Sequence, residues 1–340
     1  MDVEIVEKFD SARDEYVRRQ RYAKICHLFE WAKITADVLK HKNLYLVARE
    51  NSICGVLPVT YVRSRYFGNR MVSQAMSNYG GIIADSDRAQ EMLFNKAVKL
   101  AKDLGCVSVE FRNTSPLPYE LKIRTGKICM HLPLAADPET IWKSFDTKVR
   151  NQVRKAEKSA ITVISGAEEL LEKFYKVYTI RMKQLGTPCF SRIFMREILR
   201  KLPDNSRVFI ANLGDVTVGG AFTVCFNGFA EIPWAATLVE YNSLCPNNLL
   251  YWSVIKHYSL AGAGMFDFGR CTIDGPTYQF KKQWGTMPVD LYYQYWVHPS
   301  HKFEISSPDN PRYKRKVEMW KRLPLWITRL AGPLISRNLP

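Results

Sequence analysis

The chain has 340 residues, of which 46% are hydrophobic and 24% are charged, and its formal net charge is +16. The length favours two domains, and the composition is that of a globular protein with a full hydrophobic core. No run reaches the roughly 18 apolar residues of a membrane-spanning helix. So much positive charge favours a polyanionic partner, which leaves open a nucleic acid, a phosphorylated carrier and an anionic membrane surface.

The eight cysteines lie scattered through the sequence, with no C-x-x-C pair and no histidine at metal-ligand spacing. Most of them fall in apolar runs, so we expect buried free thiols and no metal site. The polar N-terminal residues lack the apolar segment of a signal peptide. We therefore expect a cytoplasmic protein that at most rests on the inner face of the cell membrane.

The first third of the chain has the pattern of one α/β unit. Apolar residues at helical or alternating spacing, separated by polar turns, mark its elements. They predict a helix over residues 12–39, strands over 44–49, 53–62 and 71–76, a helix over 88–104, and a strand over 107–111.

The same order of elements recurs further along the chain. Strands are predicted over residues 207–212, 216–225 and 229–236, a helix over 246–263, and a strand over 265–268. Corresponding residues, such as Gly105 and Gly264 or Arg112 and Arg270, recur after about 160 positions. A steady offset of this kind indicates internal duplication. The sequence therefore predicts two copies of one β-β-β-α-β unit.

Between the two copies, residues 137–202 are predicted to form a helical insertion. Its segment 143–158 carries six basic and two acidic residues. On a helix, Lys148, Arg150 and Arg154 belong to this basic surface, which is either a solvated face or a site for phosphate groups. Both interpretations remain open from the sequence.

One further arginine in the insertion has an unusual position. Arg192 lies in the first turn of the last predicted helix, where a positive charge is unfavourable for the helix dipole. A residue in such a position can hold an anionic group.

The stretch after the last repeated strand concentrates polar residues at a strand end, where α/β folds place their ligands. Arg270 follows the strand directly, and a turn leads to Tyr278 and then to Phe280, Lys281 and Lys282. The aromatic neighbours of Lys281 are expected to pin its stem against an apolar wall. We interpret Lys281 as a functional lysine rather than as a surface one.

Six segments together carry a resemblance to a known family. They are Tyr79-Gly80-Gly81, the helix from Lys148 to Ala156, Leu185-Gly186-Thr187-Pro188, Tyr241-Asn242 with Pro246-Asn247, Phe266-Asp267-Phe268-Gly269-Arg270, and Phe280-Lys281-Lys282. The combination resembles the FemAB family, most closely the FemAB-related proteins encoded with bacterial exosortase (PEP-CTERM) and exopolysaccharide systems.

The resemblance covers nearly the whole chain and implies an α/β (α+β) fold of two tandem GNAT-like domains, each with a central mixed sheet flanked by helices. The first domain is expected over residues 1–135 and the second over 136–300, with the helical insertion at 137–202. A basic amphipathic tail is expected over 301–340.

Characterised FemAB members transfer an aminoacyl group from aminoacyl-tRNA to an amine of a peptidoglycan precursor, and relatives in the fold group are acetyltransferase-like. The resemblance thus implies an acyl or aminoacyl transferase (EC 2.3 class) acting on a phosphorylated or lipid-linked cell-envelope precursor, with no DNA partner. The chain lacks both a coiled-coil arm for tRNA and a clean R-x-x-G-x-G/A loop for CoA. The donor therefore stays open between aminoacyl-tRNA and acyl-CoA, and no other cofactor is expected.

The resemblance also implies a role for Lys281, because the family's lysine in this Phe-Lys pair is credited with stabilising the oxyanion of the reaction. No Ser-His-Asp or Cys-His arrangement is evident near it, so direct transfer is favoured over a covalent enzyme intermediate. Asp267 is either the base or a structural carboxylate paired with Arg270.

Three further residues flank the start of the second long helix: Tyr241, Asn242 and Asn247. The N-terminus of a helix can bind an anion or a carbonyl. Alternatively, Asn242 makes a turn and Asn247 caps the helix. A second functional class also stays open, namely a non-catalytic basic binding subunit of an envelope-polymer assembly system.

The tail from Pro311 to Pro340 has eight basic residues and one acidic residue, interspersed with tryptophan, leucine and isoleucine. Pro324 and Pro333 divide it into short helices. Such a segment suits the surface of an anionic bilayer. The alternative is that the apolar face packs on the first domain, as in similar family members.

Overall fold

In the computed structural model, residues 1–63, 68–301 and 311–338 are described, and they form two compact units. The first unit contains residues 1–127 and 290–301, and the second contains residues 128–289 and 311–337. Each unit has one β-sheet of its own. Both units are therefore assembled from segments that lie far apart in the sequence.

Fifteen strands occur in the described residues. They are β1 (Asp2–Val6), β2 (Lys42–Arg49), β3 (Ile53–Val62), β4 (Arg70–Val72), β5 (Ile83–Ala84), β6 (Ser108–Asn113), β7 (Lys122–Arg124), β8 (Lys127–Pro133), β9 (Ile161–Gly166), β10 (Ser206–Leu213), β11 (Val216–Phe226), β12 (Phe229–Thr237), β13 (Met265–Thr272), β14 (Met287–Asp290) and β15 (Tyr292–Val297).

The same residues form eleven α-helices. They are α1 (Ser11–Arg19), α2 (Phe29–Leu39), α3 (Asp87–Asp103), α4 (Pro138–Ser144), α5 (Thr147–Lys158), α6 (Leu171–Leu185), α7 (Arg192–Lys201), α8 (Pro246–Leu260), α9 (Pro276–Lys282), α10 (Pro311–Arg322) and α11 (Leu325–Ser336). None of these helices is both long and apolar enough to cross a membrane.

The two sheets have the same strand order. The first runs β1-β2-β3-β4-β6-β15-β7, with β5 paired to β3, and the second runs β9-β10-β11-β12-β13-β8-β14. In each sheet the fourth and fifth strands pair in parallel. The helices correspond too, since α1 and α2 follow β1 as α6 and α7 follow β9, and α3 corresponds to α8. The predicted internal duplication is confirmed.

An aromatic strand over residues 289–297 is predicted from the sequence, but the sheets that β8 and β15 complete were not foreseen. Strand β15 lies beyond the second repeat but pairs with β6 and β7 of the first sheet. Strand β8, in turn, precedes the second repeat and lies beside β13. The unit boundaries therefore differ from the expected ranges 1–135 and 136–300, because an apolar alternation predicts a strand without saying which sheet it joins.

The expected helical insertion over residues 137–202 also needs correction, because β9 runs through it. This edge strand buries only Ile161 fully, so its sequence lacks the apolar alternation that marks a half-buried strand. Helices α6 and α7 then belong to the repeated unit, and α4 and α5 alone are additional to it. The first edge strand, β1, was also not predicted; of its five residues only Val3 is buried.

Helices α4, α5 and α8 cover one face of the second sheet. Val149, Val153 and Ala156 form the buried side of α5 and belong to one core with Trp284. Phe145, which separates α4 from α5, packs edge-on against Trp284 with ring centroids 5.1 Å apart. Burying an aromatic or branched side chain contributes about 1.5–3 kcal/mol. This core fixes the position of the basic surface of α5.

The tail helices pack within the second unit, where α10 and α11 contact α6. Gly332 of α11 lies against Cys189, because a Cβ atom on this glycine would be 2.6 Å from the cysteine Sγ. Arg329 donates from Nε to Oγ1 of Thr179 at 2.9 Å. From the sequence, this tail was expected to contact the first domain or a membrane surface. The contacts of α10 and α11 with α6 lie in the second unit instead.

Candidate functional site

The parallel pair of β12 and β13 opens part-way along its length. Residues 229–231 of β12 pair with residues 265–267 of β13. Beyond this ladder β12 continues to Thr237 and β13 to Thr272, each still beside its outer neighbour in the sheet. The inner backbone groups of the two strands therefore separate, and they need other partners.

A glycine bend in β13 supplies the first part of the site. Gly269 has a φ angle of +77°, which lies in the left-handed region that glycine adopts readily. A Cβ atom at this position would be 3.4 Å from the carbonyl oxygen of Ile232 and 3.9 Å from the Lys281 Nζ atom. Both distances are ordinary van der Waals contacts, so the positive φ angle, rather than a lack of space, is what favours glycine at this bend.

Helix α9 positions Lys281 toward this bend. Successive side chains on a helix point about 100° apart, so Lys281 is buried, with 4% of its surface exposed, while Lys282 is exposed. Lys281 Nζ donates to the carbonyl oxygen of Gly269 at 2.6 Å and to that of Arg270 at 3.1 Å. An ammonium group has three N–H donors. Among the described residues, these two carbonyls are its hydrogen-bond acceptors, which leaves one donor.

The aromatic residues that flank Lys281 in the sequence pack into the second unit. Phe280 packs edge-on against Tyr251, with centroids 5.3 Å apart, and Trp284 is fully buried. Burial lowers the pKa of Lys281, although the nearby Cys271, Asp267 and Cys129 oppose this effect. A desolvated amine of this kind is typical of functional sites, though structural networks produce it too.

Asp267 lies fully buried beside the bend. Its Oδ1 atom accepts the backbone N–H of Gly269 at 2.7 Å. The same glycine accepts from Lys281 through its carbonyl, so Asp267 and Lys281 hold the bend from both sides. Asp267 Oδ1 also lies 3.8 Å from Nε2 of His131.

His131 and Cys129 are residues of this site that the sequence analysis missed. The potential ligand atoms of Cys129, His131 and Asp267 all lie within 4.8 Å of one another. A thiolate, an imidazole and a carboxylate are ligands that zinc accepts, so these three side chains could hold such an ion. The earlier statement that no Cys-His arrangement lies near Lys281 is therefore wrong.

The reason for this omission is topological. Ile128, Met130 and Leu132 of β8 enter the hydrophobic core, and side chains alternate along a strand. This alternation assigns Cys129 and His131 to the opposite face. The sequence contains no signal that β8 lies beside β13, more than 130 residues later.

The basic surface of α5 lies along α8. Asn248 in the first turn of α8 donates to Oε1 of Gln152 at 3.0 Å, and exposed Lys148 is one helical turn before Gln152. Arg150 donates to the Lys143 carbonyl oxygen at 3.3 Å. The Gln152 contact brings α5 beside the first turn of α8, and the N-terminus of a helix is an anion-binding position in many proteins.

Arg154 is also exposed and lies on the same helix, with its guanidinium 5.6 Å from the centroid of the Trp142 ring. This geometry fits a cation–π contact. The aromatic contact limits the motion of the arginine without neutralising its charge.

The three predicted residues around the start of α8 lie as follows. Tyr241 and Asn242 belong to the 3-10 turn Val239–Leu244, with Tyr241 half-buried and Asn242 exposed. Cys245 is the N-cap residue, with a φ angle of +58° and no side-chain capping bond. Asn247 is therefore inside the first turn rather than at the cap. The N–H groups of that turn lack a side-chain cap from Cys245.

The remaining predicted residues are Arg270, Tyr278 and Arg192. Arg270 is exposed at the end of β13, and half-buried Tyr278 has the Lys282 ammonium 5.7 Å from its ring centroid. Arg192 forms an ion pair with Glu172 of α6. This carboxylate accounts for an arginine in the first turn of α7 without a bound ligand.

The sequence and the fold were compared with known proteins. Residues 143–282 match a family model described as an acetyltransferase (GNAT) domain, and the match ends directly after Lys281. A crystal structure of FemX superposes with a TM-score of 0.70 at 14% identity, covering 92% of this chain and 99% of that one. No curated protein matches the sequence.

A tandem GNAT protein from the clavulanic acid biosynthesis pathway superposes with a TM-score of 0.50 at 12% identity, covering 89% of this chain and 100% of that one. The fold is that of two tandem GNAT-like domains. The same fold is present in the C-terminal domain of an Agrobacterium fabrum protein described as a lysylphosphatidylglycerol synthetase. That domain has a TM-score of 0.56 at 12% identity and covers 84% of this chain and 90% of its own.

Proposed function

We propose that this tandem GNAT-like protein is an N-acyltransferase that moves an acyl or aminoacyl group onto an amine of a cell-envelope precursor. The observation that carries the proposal is the buried amino group of Lys281, held at the opening between β12 and β13 with one N–H donor remaining. FemX and the synthetase-like neighbour share the fold, which supports an envelope substrate. By its FemAB resemblance, the acceptor is a peptidoglycan-type or exopolysaccharide precursor.

The reaction joins the acceptor nitrogen to the carbonyl carbon of the donor. The amine attacks this carbon, its lone pair forms the new C–N bond, and the carbonyl oxygen becomes negative. Collapse of this tetrahedral intermediate breaks the C–O bond of an aminoacyl-tRNA or the C–S bond of an acyl-CoA. The nitrogen loses a proton to the Asp267 and His131 pair, and the same pair returns it to the leaving ribose oxygen or thiolate sulfur.

Lys281 acts on the oxyanion in this scheme. A preorganised donor in a site without water stabilises a developing negative charge strongly, because the donor needs no reorganisation during the reaction. The two carbonyl groups that accept from Lys281 fix its direction. Asp267 has a positioning role, since it holds the backbone of the bend that carries one of these carbonyls.

The phosphates of the donor or acceptor are assigned to the basic surface of α5 and the N-terminus of α8. Lys148, Arg150 and Arg154 supply the charge, and the first turn of α8 supplies N–H donors. Tyr241, Asn242 and Asn247 lie around the same turn.

A non-catalytic binding subunit is the second candidate, and one observation favours it. Among the described residues, both hydrogen bonds of Lys281 go to the chain's own backbone, as they would if the lysine only stabilised the bend. The two candidates differ in what the lysine does for chemistry, so they can be separated by a product assay.

The test incubates the protein with aminoacyl-tRNA or acetyl-CoA and with nucleotide-linked amino sugars, and it measures acylated product by mass spectrometry. Lys281→Met should abolish a product that wild type and Lys282→Met both form. Product from Lys281→Met at the wild-type rate would remove Lys281 from the chemistry. Precursor binding without product from any of the three proteins would instead favour the binding subunit.

A further inference from the structure

Helix α11 docks with its small side chains and exposes its large apolar ones. One face of the helix is buried, and it consists of Thr328, Gly332 and Ser336. The opposite face repeats at the same spacing, and its side chains are 68%, 70% and 54% exposed at Trp326, Leu330 and Leu334. Residues four apart share a helix face, so the apolar residues form one continuous row, which we call the α11 apolar row.

This orientation is the reverse of the usual one for a helix at a protein surface, which turns its apolar stripe toward the core. It is held by specific contacts, because Gly332 allows α11 to approach Cys189 and Arg329 donates to Thr179. Met319 of α10 adds another large side chain that is 68% exposed. The exposed row is therefore a built feature of the docked helix.

The exposed charge of the two tail helices is mostly positive. In α10 and directly after α11, Lys314, Arg315, Lys316, Arg322 and Arg337 are exposed. Glu318, the one acidic residue of the tail, accepts from Lys321 at 2.8 Å. A second copy of this chain would bring like charges together at the row, and a nucleic acid would leave the leucines without apolar contact.

We infer that the α11 apolar row is a docking surface for an anionic lipid bilayer. The tryptophan and leucines enter the boundary between headgroups and acyl chains, and the surrounding lysines and arginines contact anionic headgroups. The helix lies in the plane of the interface, since it is too short to span a bilayer. This surface goes beyond the proposed reaction, and it is independent of Lys281.

The experiment measures co-sedimentation of the full chain with vesicles of phosphatidylcholine alone or with phosphatidylglycerol added. Leu330→Glu is compared with Leu260→Glu, because Leu260 at the end of α8 is also exposed, at 66%. Both variants change the charge equally. Wild type and Leu260→Glu should bind the phosphatidylglycerol vesicles, less so at high salt. Leu330→Glu should bind about tenfold more weakly or worse, as one leucine stays out of the apolar layer.

Equal binding by the two variants would overturn the inference, as would equal binding to both vesicle compositions. Self-association of wild type that Leu330→Glu abolishes, without vesicle binding, would assign the row to a second copy instead. The Lys281→Met variant should bind vesicles like wild type. A failure of the proposed chemistry is thereby distinguished from a failure of the membrane surface.

Discussion

Replacing Lys281 by methionine separates its two roles, catalysis and support of the β13 bend. Methionine keeps an unbranched apolar stem but has no N–H donor. The carbonyl groups of Gly269 and Arg270 lose the lysine as a donor in this variant, and the bond to Gly269 is the buried one. A buried acceptor left without a partner costs about 1–3 kcal/mol, so we expect a measurable but partial loss of stability.

The expected loss of activity is larger than this loss of stability can explain. Removing one oxyanion donor typically lowers kcat by about 100- to 1000-fold. The assay is a rate of acyl transfer at saturating donor, measured on protein whose folded fraction is determined by denaturant unfolding. Lys282→Met is the matched control, because Lys282 is the exposed neighbour on the same helix and its substitution should change kcat little.

A pH series gives the Lys281 comparison a second readout. Burial lowers the pKa of Lys281 below its ordinary value of 10.5. Between the folded pKa and 10.5 the unfolded lysine binds a proton that the folded lysine has released, so the free energy of unfolding rises with pH through this window. Lys281→Met should lack that rise.

Two results would refute this reasoning. If Lys281→Met retained kcat within a few-fold of wild type while remaining folded, the amino group would have no part in stabilising the oxyanion. If the activity fell only in proportion to the folded fraction, Lys281 would be a purely structural residue.

Further substitutions test the rest of the site and the tail. The double change of Lys148 and Arg150 to Glu should weaken precursor binding at least tenfold, with a smaller salt dependence than wild type; salt-independent wild-type binding would make α5 a solvated face. Asp267→Asn keeps an acceptor for the bend but removes the carboxylate of the proton-accepting pair, so kcat should fall about 100-fold or more while stability changes little; an unchanged kcat would leave Asp267 a positioning role alone. Gly332→Ala should destabilise the protein by about 1–3 kcal/mol in denaturant unfolding, whereas Gly264→Ala, with no atom near its Cβ position, should change stability less.

The repeat was predictable because each of its elements has a local sequence pattern. Hairpins, the long amphipathic helix and the strand after it each leave a periodic signal, as α3 does with buried Leu93, Ala97 and Ala101. The exchanged strands β8 and β15 leave the same local signal as any other strand. Their sheet is decided by pairing over long sequence separations, which periodicity does not encode.

The residues of the site also differ in whether their neighbours are close or distant in the sequence. The burial of Lys281 could be predicted because the aromatic residues Phe280 and Trp284 are close to it in the sequence. Cys129 and His131 could not, because they join Asp267 only through the pairing of β8 with β13. The break between α4 and α5 was also invisible, so Arg150 approaches Lys143 across two helices rather than along one.

The first unit contains the equivalent parallel strand pair, and there the chain's own backbone fills the position beyond the ladder. There β4 and β6 pair in parallel over residues 70–72 and 108–110. Beyond the ladder, the chain's own backbone occupies the inner edge of β6, since Gly81 donates its N–H to the carbonyl oxygen of Arg112 at 3.0 Å. A Cβ atom on Gly81 would lie 2.0 Å from Oδ1 of Asn113, so this backbone fits tightly.

Arg112 and Arg270, which correspond to each other in the two copies, differ in the same way. Burial alone would lower the pKa of Arg112, but Glu110, Tyr293 and Tyr295 together outweigh burial and the pKa is raised. Arg112 donates to that carboxylate at 2.7 Å and also holds the backbone near Ser77, whereas Arg270 is exposed at its strand end. In the first unit the strand edge is closed by backbone and an internal ion pair. In the second unit the strand edge is held by the side chain of Lys281, which has one N–H donor left for a ligand. This difference between the two copies is the reason for assigning the proposed chemistry to the second copy.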